Sequence, residues 1–537
     1  MTVSVKIAGM QTALESLPSD PEKLQDIVLE LQSVVTDQAG SIKQKDAQID
    51  HLNQQYQHIL EQFRLAQQRQ FGTSSEASAD QLGLFNETEQ TVEEDDLEAE
   101  TESISYTRTK PKRKPLPDNL PRERIVHDIA ESDKTCDDCG HDLHPMGEDT
   151  SEQLEFIPAS IKIIEHARPK YSCRHCEQQG TDVKIKIAPV PPAPIPKSIA
   201  TASLLSQIIT SKYQYALPLY RQEQMFRQYG IELSRKTMAD WMIRCSELLV
   251  PIYQRLKTIQ LQQSVINADE TPLKVIHEDK NRCYMWVYCS GTDSPPPDTD
   301  DRPPNIVLYD YHNSRAGQCA RDYLGDYQGY LQVDGYAGYT QTKATLVGCF
   351  AHARRKFIEV QKMQVKGKTG KADWAINQIR KLYRIESEIK DKTRIEKQAL
   401  RIEKSKPLLD EYKAWLDKSA LQVPPKTAIG KAISYSLGQW EKLERYLEDG
   451  NLQIDNNRAE RAIKPFVIGR KNWLFANTTR GAQASAILYS LNETVKANGL
   501  TPFDYLHLLL EELPKKPETL DYLLPWNVDL PRQIKHS

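Results

Sequence analysis

Long apolar stretches are missing from this chain of 537 residues. No apolar run approaches the roughly 18 residues that a membrane-spanning helix needs, so none is predicted. The first ten residues carry one lysine and no apolar core, so no secretory signal is expected. Cysteine is scarce, with nine residues in all. In the cytoplasmic, reducing setting that these absences indicate, we expect the cysteines to be metal ligands or buried thiols and not disulfides.

An excess of positive charge is missing as well. The net charge is −4, which by itself argues against a protein that simply coats DNA. The charge is unevenly distributed, however. Residues 84–105 hold nine acids and no base, whereas residues 343–384 carry eleven Lys or Arg against two acids. Because the local field decides what a polyanion meets, the second segment stays a candidate surface for nucleic acid.

A heptad pattern is present near the N-terminus. Apolar positions alternate in steps of four and three from Leu24 to Ala66, with Gln38 and Lys45 as polar members of the seam. That length favours a coiled coil over residues 20–70, through which the chain would self-associate, over a helix packed on its own domain. Residues 71–118, acidic and then basic, are predicted to form a disordered linker.

Two C-x-x-C pairs follow the linker, and 33 residues separate them. Four thiolates suit a tetrahedral Zn²⁺ site, and this zinc would be structural because four protein ligands leave no position for water. The spacing is longer than the roughly 15–20 residues of a usual zinc ribbon. We therefore predict a zinc-ribbon-like module over residues 119–188, with the ligands Cys136, Cys139, Cys173 and Cys176.

Residues 197–258 have the apolar spacing of helices and are interpreted as a helical DNA-binding region. Ser234 is predicted to cap a helix with a basic first turn. This helix could be the second helix of a helix-turn-helix, or a member of an ordinary helical bundle, and the pattern does not separate the two.

From residue 264 the chain changes to short segments typical of strands. These cover residues 264–268, 283–289, 305–311, 330–333 and 345–350, with a helix over 314–324 and a basic helix after the last strand. Three strands, a helix and a strand are the order of a ribonuclease-H-like sheet. The first and fourth strands are neighbours in that fold, so Asp269 and Asp334, at their ends, would meet. Glu270 would face the other side of the sheet.

A third acid is expected from a later helix. Asn456 or Asn457 could cap a helix whose first turn holds Glu460. Six bases surround this single acid between residues 458 and 480. Glu460 could instead be a surface residue paired with a neighbouring base. Three carboxylates suit Mg²⁺, which prefers oxygen ligands, and two such ions can support an in-line displacement at phosphorus.

Four motifs carry a resemblance to a known family. They are Asn-Ala-Asp269-Glu-Thr-Pro, Val-Asp334-Gly-Tyr-Ala-Gly-Tyr, Gly348-Cys-Phe-Ala-His-Ala-Arg-Arg-Lys-Phe357 and Asp455-Asn-Asn-Arg-Ala-Glu460-Arg-Ala-Ile-Lys-Pro. Together they resemble the transposases of the insertion sequence 66 family, within the DDE superfamily, and the likeness covers nearly the whole chain. It implies that Asp269, Asp334 and Glu460 are the catalytic triad and bind two Mg²⁺ ions, or Mn²⁺ in their place.

The resemblance also implies an architecture. The chain would be a multidomain α+β protein with a ribonuclease-H-like α/β catalytic core over residues 259–480, a helical insertion at about 358–450 and a C-terminal helical segment over 481–525. The N-terminal coiled coil and the zinc module would precede this core.

The implied function is DNA transposition. Metal-activated water would cut each transposon end, and the released 3′-OH would attack target DNA. The partners would be transposon ends, target DNA, further copies of the chain and small accessory proteins, in the nucleoid of a bacterial cytoplasm. Side chains expected to neutralise phosphates are Arg354, Arg355, Lys356, Arg458, Arg461 and Lys464; His352 could reach a phosphate or serve packing.

Two other functions stay open from the residues alone. One is a DNA-binding protein that uses the coiled coil and the zinc module without catalysis. The other is a structure-selective nuclease built on the same fold.

Overall fold

The computed structural model describes residues 20–49 with gaps at 23–24, 27, 30–31, 43 and 46–47, and residues 161–171, 186–280, 282–292, 303–364 and 369–531. The chain forms two compact units, one of Glu93–Val190 and one of Met1–Val92 with Pro191–Ser537. The predicted linker, the later part of the heptad pattern and the four predicted zinc ligands lie outside the described residues. Predictions about them therefore remain predictions.

In the smaller unit, two short strands are described. Lys170–Tyr171 pairs antiparallel with Lys186–Ile187. The Nη1 atom of Arg168 donates to the carbonyl oxygen of Ala188 at 2.9 Å and closes the pair. These strands flank the second predicted C-x-x-C pair on both sides in sequence.

The described residues between 21 and 49 are helical, as the heptad pattern predicts. Four seam residues on this helix, Val28, Val35, Ile42 and Ile49, are each at least 50% exposed. Exposed apolar side chains in one row are the surface that a coiled-coil partner would cover.

Three helices open the larger unit's main body: α1 (Ala202–Tyr213), α2 (Leu219–Gln228) and α3 (Arg235–Gln260). The predicted cap is confirmed, because Ser234 Oγ accepts from the amide of Thr237 at 3.1 Å. The helix α3 packs along the central sheet, where the hydroxyl of Tyr253 donates to the carbonyl oxygen of Tyr309 at 2.9 Å. The helical region therefore shares its core with the sheet.

The central sheet contains five strands. They are β1 (Val265–Leu273), β2 (Cys283–Ser290), β3 (Ile306–His312), β4 (Tyr330–Gln332) and β5 (Thr345–Val347). The spatial order is β3-β2-β1-β4-β5; the pairs β3–β2 and β2–β1 are antiparallel, and the pairs β1–β4 and β4–β5 are parallel. The helix α4 (Gly317–Leu324) connects β3 to β4. The predicted strands are present, and the first and fourth are neighbours as expected.

Two strand ends differ from the prediction. Asp269 lies in the middle of β1 and not at its end, because pairing with β2 continues to Leu273 opposite Cys283. Pairing with β4 covers only Val265–Asn267. The second half of β1 thus pairs with β2 alone. Pro272 is tolerated there because a proline has no amide hydrogen to donate and would disrupt a strand that pairs on both sides. The last strand ends at Val347 and not at Phe350, where the next helix begins.

A helical insertion follows the sheet. After α5 (Phe350–Met363), its elements are α6 (Lys371–Glu388), α7 (Arg394–Leu400), a π-helical turn (Arg401–Ser405), α8 (Lys406–Gln422), α9 (Ala428–Gly438) and α10 (Trp440–Glu444). They pack around a second hydrophobic cluster, to which the start of α5 and the end of β5 also contribute. The predicted helix-rich segment is thus helical.

Arg401 ties the insertion to the chain that leads back to the sheet. Its side chain is 3% exposed, and its Nη2 atom lies 2.6 Å from Glu386 Oε2. The same guanidinium donates to the carbonyl oxygens of Tyr446, Asp449 and Leu452 at 2.9–3.0 Å. This network fixes the segment that enters α11 (Asn457–Trp473).

The C-terminal helices α12 (Thr479–Ala497) and α13 (Pro502–Glu512) belong to the same core as the sheet. The hydroxyl oxygens of Thr494 and Ser490 on α12 accept from the amides of Val307 and Tyr309 at 3.0 and 2.7 Å. Since β3 is an edge strand, α12 covers a row of backbone groups that would otherwise be open to another chain. The C-terminal segment is therefore an integral part of this unit.

Candidate active site

The parallel pairing of β1 and β4 brings two predicted acids to one region of the sheet. Val265 to Asn267 lie opposite Tyr330 to Gln332, and Asp334 follows β4 by two residues. Backbone amides orient both carboxylates: the amide of Glu270 donates to Asp269 Oδ1, and that of Tyr336 donates to Asp334 Oδ1, each at 2.8 Å.

Asn456 attaches the start of α11 to β1. Its Oδ1 atom accepts from Asn267 Nδ2 at 3.1 Å, and its Nδ2 atom donates to the carbonyl oxygen of Ala268 at 2.8 Å. Asn456 occupies the N-cap position but does not cap the helix with its side chain; instead, Asp455 Oδ1 accepts from the amide of Asn457 at 3.1 Å. The expectation that Asn456 or Asn457 caps α11 is thus corrected, because the side-chain amide of Asn456 pairs with β1 and Asn457 is the first residue of the helix.

The three predicted acids interact electrostatically. Burial raises the pKa of Asp269 well above its ordinary value, and the charges of Glu270, Glu460 and Asp334 raise it further. Burial also raises the pKa of Glu460 to about 7, against the opposing effect of Arg355, and Asp455 and Asp334 add to the rise. Carboxylates that disfavour one another's ionisation in this way form a site that a cation would stabilise.

The residues present fit a divalent metal ion. Glu460 is 2% exposed, and among the described residues neither of its buried carboxylate oxygens has a hydrogen-bond partner. Buried polar oxygens of this kind ordinarily find partners. Asp269, Asp334 and Glu460 offer only oxygen, the donor that Mg²⁺ prefers.

Glu270, the residue after Asp269, is held in a network of contacts with the turn that follows β4. The sequence did not indicate this role. Its buried carboxylate accepts from Arg315 Nε at 2.8 Å and from the hydroxyl of Tyr339 at 2.6 Å. The guanidinium of Arg315 lies 4.0 Å from the centre of the Tyr336 ring. Because the amide of Tyr336 holds Asp334, this network links the turn after β4 to the strand that carries Asp269.

The bases predicted to meet phosphate fall into two groups. Arg354 and Arg458 are only 4% and 5% exposed, and Arg458 Nη2 donates to the carbonyl oxygen of Ser290 at 2.7 Å. A buried guanidinium does not face a duplex, and that of Arg458 is also bonded to the sheet, so for Arg354 and Arg458 the expectation of a phosphate contact is corrected to a buried, structural placement. Lys356 and Arg461 are exposed, whereas Arg355 and Lys464 are partly buried.

Arg355 and Arg461 interact electrostatically with Glu460. Arg355 Nη2 lies 4.0 Å from Glu460 Oε2. The charges of Arg355 and Arg461 both hold the pKa of Glu460 below the value that burial alone would give. Positive charge therefore borders the acidic site on the side of α5 and α11.

His352 and Cys349 also lie at Glu460. The Nδ1 atom of His352 is 3.6 Å from Glu460 Oε1, and burial, with the charge of Arg355, lowers the pKa of His352 to about 4. The imidazole is therefore neutral near pH 7. The sequence showed His352 only as a histidine among bases, and nothing in the spacing indicated its contact with a glutamate 108 positions further on.

Comparisons with known proteins agree with the motifs. A family model described as "Transposase IS66 family" matches residues 197–484. A second, "zinc-finger binding domain of transposase IS66", matches residues 133–177, which include all four predicted zinc ligands and suggest zinc binding. Models described as "Transposase C of IS166 homeodomain" and "IS66 C-terminal element" match residues 58–125 and 490–526.

Relatives occur in Sinorhizobium fredii (strain NBRC 101917 / NGR234). Uncharacterized protein y4hP is 34% identical over 490 residues, which cover 85% of this chain and 86% of that protein. Uncharacterized protein y4qI is 31% identical over 557 residues, covering 96% of this chain and 99% of the relative. No solved structure matches.

The matches define a transposase, and the chain belongs to the IS66 transposase family. This membership supports DNA as its partner. Within the described ranges, no helix combines the length and the apolar character that crossing a bilayer requires.

Proposed function

We propose that this chain is a DDE transposase that binds the ends of an insertion sequence, cuts them by metal-dependent phosphodiester hydrolysis and joins the freed 3′ ends to target DNA. The observation that carries the proposal is the attachment of the helix of Glu460 to the strand of Asp269, which pairs with the strand that leads to Asp334. Three carboxylates on joined elements support a shared site for divalent cations.

The topology supports a ribonuclease-H-like core. Three antiparallel strands followed by two parallel strands, in the spatial order β3-β2-β1-β4-β5, match the order expected of that fold. In this arrangement Asp269 belongs to the first strand and Asp334 follows the fourth.

Asp269, Asp334 and Glu460 would hold two Mg²⁺ ions, or Mn²⁺ in their place, and these would supply activation of the attacking oxygen and stabilisation of the leaving oxygen. The chain's own part is to hold these carboxylates in position. Asp269 lies on a strand that pairs with two neighbours, and Asn456 ties the helix of Glu460 to that strand. Ligands on rigid elements keep their geometry better than ligands on loops.

Lys356, Arg355, Arg461 and Lys464 are the bases that we assign to phosphate contacts. All four lie on α5, which carries His352, or on α11, which carries Glu460. The charges of the first three shift the pKa of His352 or of Glu460. Contacts of this kind make DNA binding depend on salt.

The remaining modules complete the proposal. Cys136, Cys139, Cys173 and Cys176 would hold one structural Zn²⁺, and the helical region over residues 197–258 would contribute to DNA binding. The exposed seam of the N-terminal helix would pair with another copy of the chain, and small accessory proteins of the same element would join the assembly.

The test is cleavage of a labelled oligonucleotide that carries the element's end. We expect Mg²⁺-dependent nicking by the wild type, and a loss of at least about a hundredfold in Asp269→Asn, Asp334→Asn and Glu460→Gln, as for removal of a charge-stabilising group. Asp322→Asn, which changes an exposed acid on α4, is the matched control and should cut normally.

Unchanged nicking in the three acid variants would contradict the proposal. DNA binding without nicking in the wild type would favour the inert DNA-binding protein. Nicking without strand-transfer products in a donor–target assay would favour the structure-selective nuclease.

A further inference from the structure

Cys349, His352 and Glu460 form a cluster with the donor atoms of a transition-metal site. One ligating atom from each residue lies within 4.8 Å of the others. Cys349 and His352 come from the start of α5, and Glu460 comes from the first turn of α11. The meeting of these two helix starts thus brings sulfur, nitrogen and oxygen donors together.

The spacing suits a bound ion. A tetrahedral Zn²⁺ with bonds of about 2.0–2.3 Å holds its ligand atoms roughly 3.5 Å apart. His352 Nδ1 and Glu460 Oε1 are already 3.6 Å apart. The sulfur lies within 4.8 Å of the other two ligand atoms, so side-chain rotation would bring it to a similar separation.

Unpartnered polar atoms point to a ligand at this place. Among the described residues, His352 Nδ1 and both carboxylate oxygens of Glu460 are buried without a hydrogen-bond partner, and Glu460 is 2% exposed. Arg355 approaches the carboxylate from the side of Oε2, at 4.0 Å, which leaves Oε1 facing His352.

Cys349 offers its sulfur in a fixed position. The sulfur accepts from the backbone amide of Asn456 at 3.2 Å. Burial raises the pKa of this thiol well above its ordinary value, so a bound ion would have to displace its proton. Thiolate and imidazole donors select Zn²⁺ over Mg²⁺, which prefers oxygen.

We infer that Cys349, His352 and Glu460 form a second metal site, selective for Zn²⁺, whose occupation withdraws Glu460 from the Mg²⁺-binding carboxylates and inhibits DNA cleavage. The inhibitory consequence rests on the proposed function, whereas the binding of Zn²⁺ does not. The site differs from the predicted four-cysteine site in its ligands and in its position in the chain.

The experiment first measures Zn²⁺ bound per chain in the full-length protein without DNA, after removal of metal and titration with Zn²⁺. We expect the wild type to bind one equivalent more than Cys349→Ser, which preserves an acceptor for the Asn456 amide. Cys319→Ser changes another buried cysteine and should match the wild type. His352→Asn should lose the same equivalent, so the result does not depend on one variant's folding.

The second readout is inhibition. The Zn²⁺ concentration that halves Mg²⁺-dependent nicking should rise at least about tenfold in Cys349→Ser, since loss of metal-site residues commonly costs that much in affinity. Equal zinc binding by the wild type, Cys349→Ser and His352→Asn would overturn the inference. If the variants bind one Zn²⁺ per chain less than the wild type and no protein nicks DNA, the zinc site would be supported and the proposed function contradicted.

Discussion

The side chain of Asn456 donates to the carbonyl oxygen of Ala268 at 2.8 Å, across 188 positions of sequence. This bond joins the helix that carries Glu460 to the residue immediately before Asp269. The buried amide of Asn456 therefore helps to set the relative position of two of the three acids.

Replacement of Asn456 by Ala should separate the two acids. We expect the free energy of unfolding to fall by about 1–3 kcal/mol, because the carbonyl of Ala268 is left buried without its partner, and nicking to fall much more steeply than end-DNA binding. Asn472→Ala, on the exposed part of the same helix, is the control. Urea unfolding and the oligonucleotide assay check both effects; full activity in Asn456→Ala would contradict this role.

Glu460→Gln should stabilise the metal-free protein at alkaline pH. The folded-state pKa of Glu460, about 7, lies above the unfolded value of about 4.3, so ionisation lowers stability progressively as pH rises between these values. Relative to the wild type, the free energy of unfolding of the variant should be higher by on the order of 3 kcal/mol at pH 8 and unchanged at pH 4, since 1 pKa unit is worth about 1.4 kcal/mol.

Urea unfolding of metal-free protein at the two pH values measures this gain. Glu403→Gln, which changes an exposed carboxylate in the insertion, should have no effect at either pH. Mg²⁺ should stabilise the wild type at pH 8 and should stabilise Glu460→Gln less. A gain that is equal at both pH values would show that ionisation is not its cause.

Glu270 and Arg315 should be energetically coupled. Because their side chains are in direct contact beside the aspartates, a double-mutant cycle with Glu270→Gln and Arg315→Gln should give a coupling free energy of about 0.5–3 kcal/mol in stability. The exposed pair of Arg480 and Glu247 should give less than about 1 kcal/mol. Additive effects at Glu270 and Arg315 would mean that the network does not act as a unit.

Arg401→Met should be strongly destabilising. Removal of one partner from a buried ion pair costs about 3–5 kcal/mol, and Arg401 also holds three carbonyl groups. Arg384→Met breaks an exposed pair with Glu388 and should cost no more than about 0.5 kcal/mol. Denaturant unfolding distinguishes them, and similar costs would contradict the anchoring role of Arg401.

Ile42→Asp should weaken self-association. Burial of one isoleucine contributes about 1.5–3 kcal/mol, so its loss from both copies of a dimer should raise the dissociation constant at least about a hundredfold. Gln44→Asp, off the seam on the same helix, should associate normally. Sedimentation of the full-length protein measures both; equal association would argue against the seam as the interface.

The local pattern was sufficient to predict the strands, whereas their neighbours were expected from the ribonuclease-H-like fold and the helical insertion from the family resemblance. Apolar segments with turn residues between them mark β1 to β5, and the fold they resemble made Asp269 and Asp334 neighbours. The placement of Arg458 could not be predicted, because its inward orientation depends on Ser290, 168 positions away. The environment of Glu460 likewise depends on α5, which carries Cys349 and His352 from a distant part of the chain. Periodicity identifies the buried face of a helix. It does not identify which polar residue of that helix will form hydrogen bonds with a neighbouring element.

The covering of β3 by α12 has a consequence for biosynthesis. The amides of Val307 and Tyr309 pair with hydroxyl groups that leave the ribosome 187 and 181 residues later. At roughly 5–20 residues per second, this interval is on the order of ten seconds or more. During that time the nascent polypeptide carries an incomplete hydrophobic core, so a truncated translation product that lacks α12 should aggregate and not persist as a dominant-negative form.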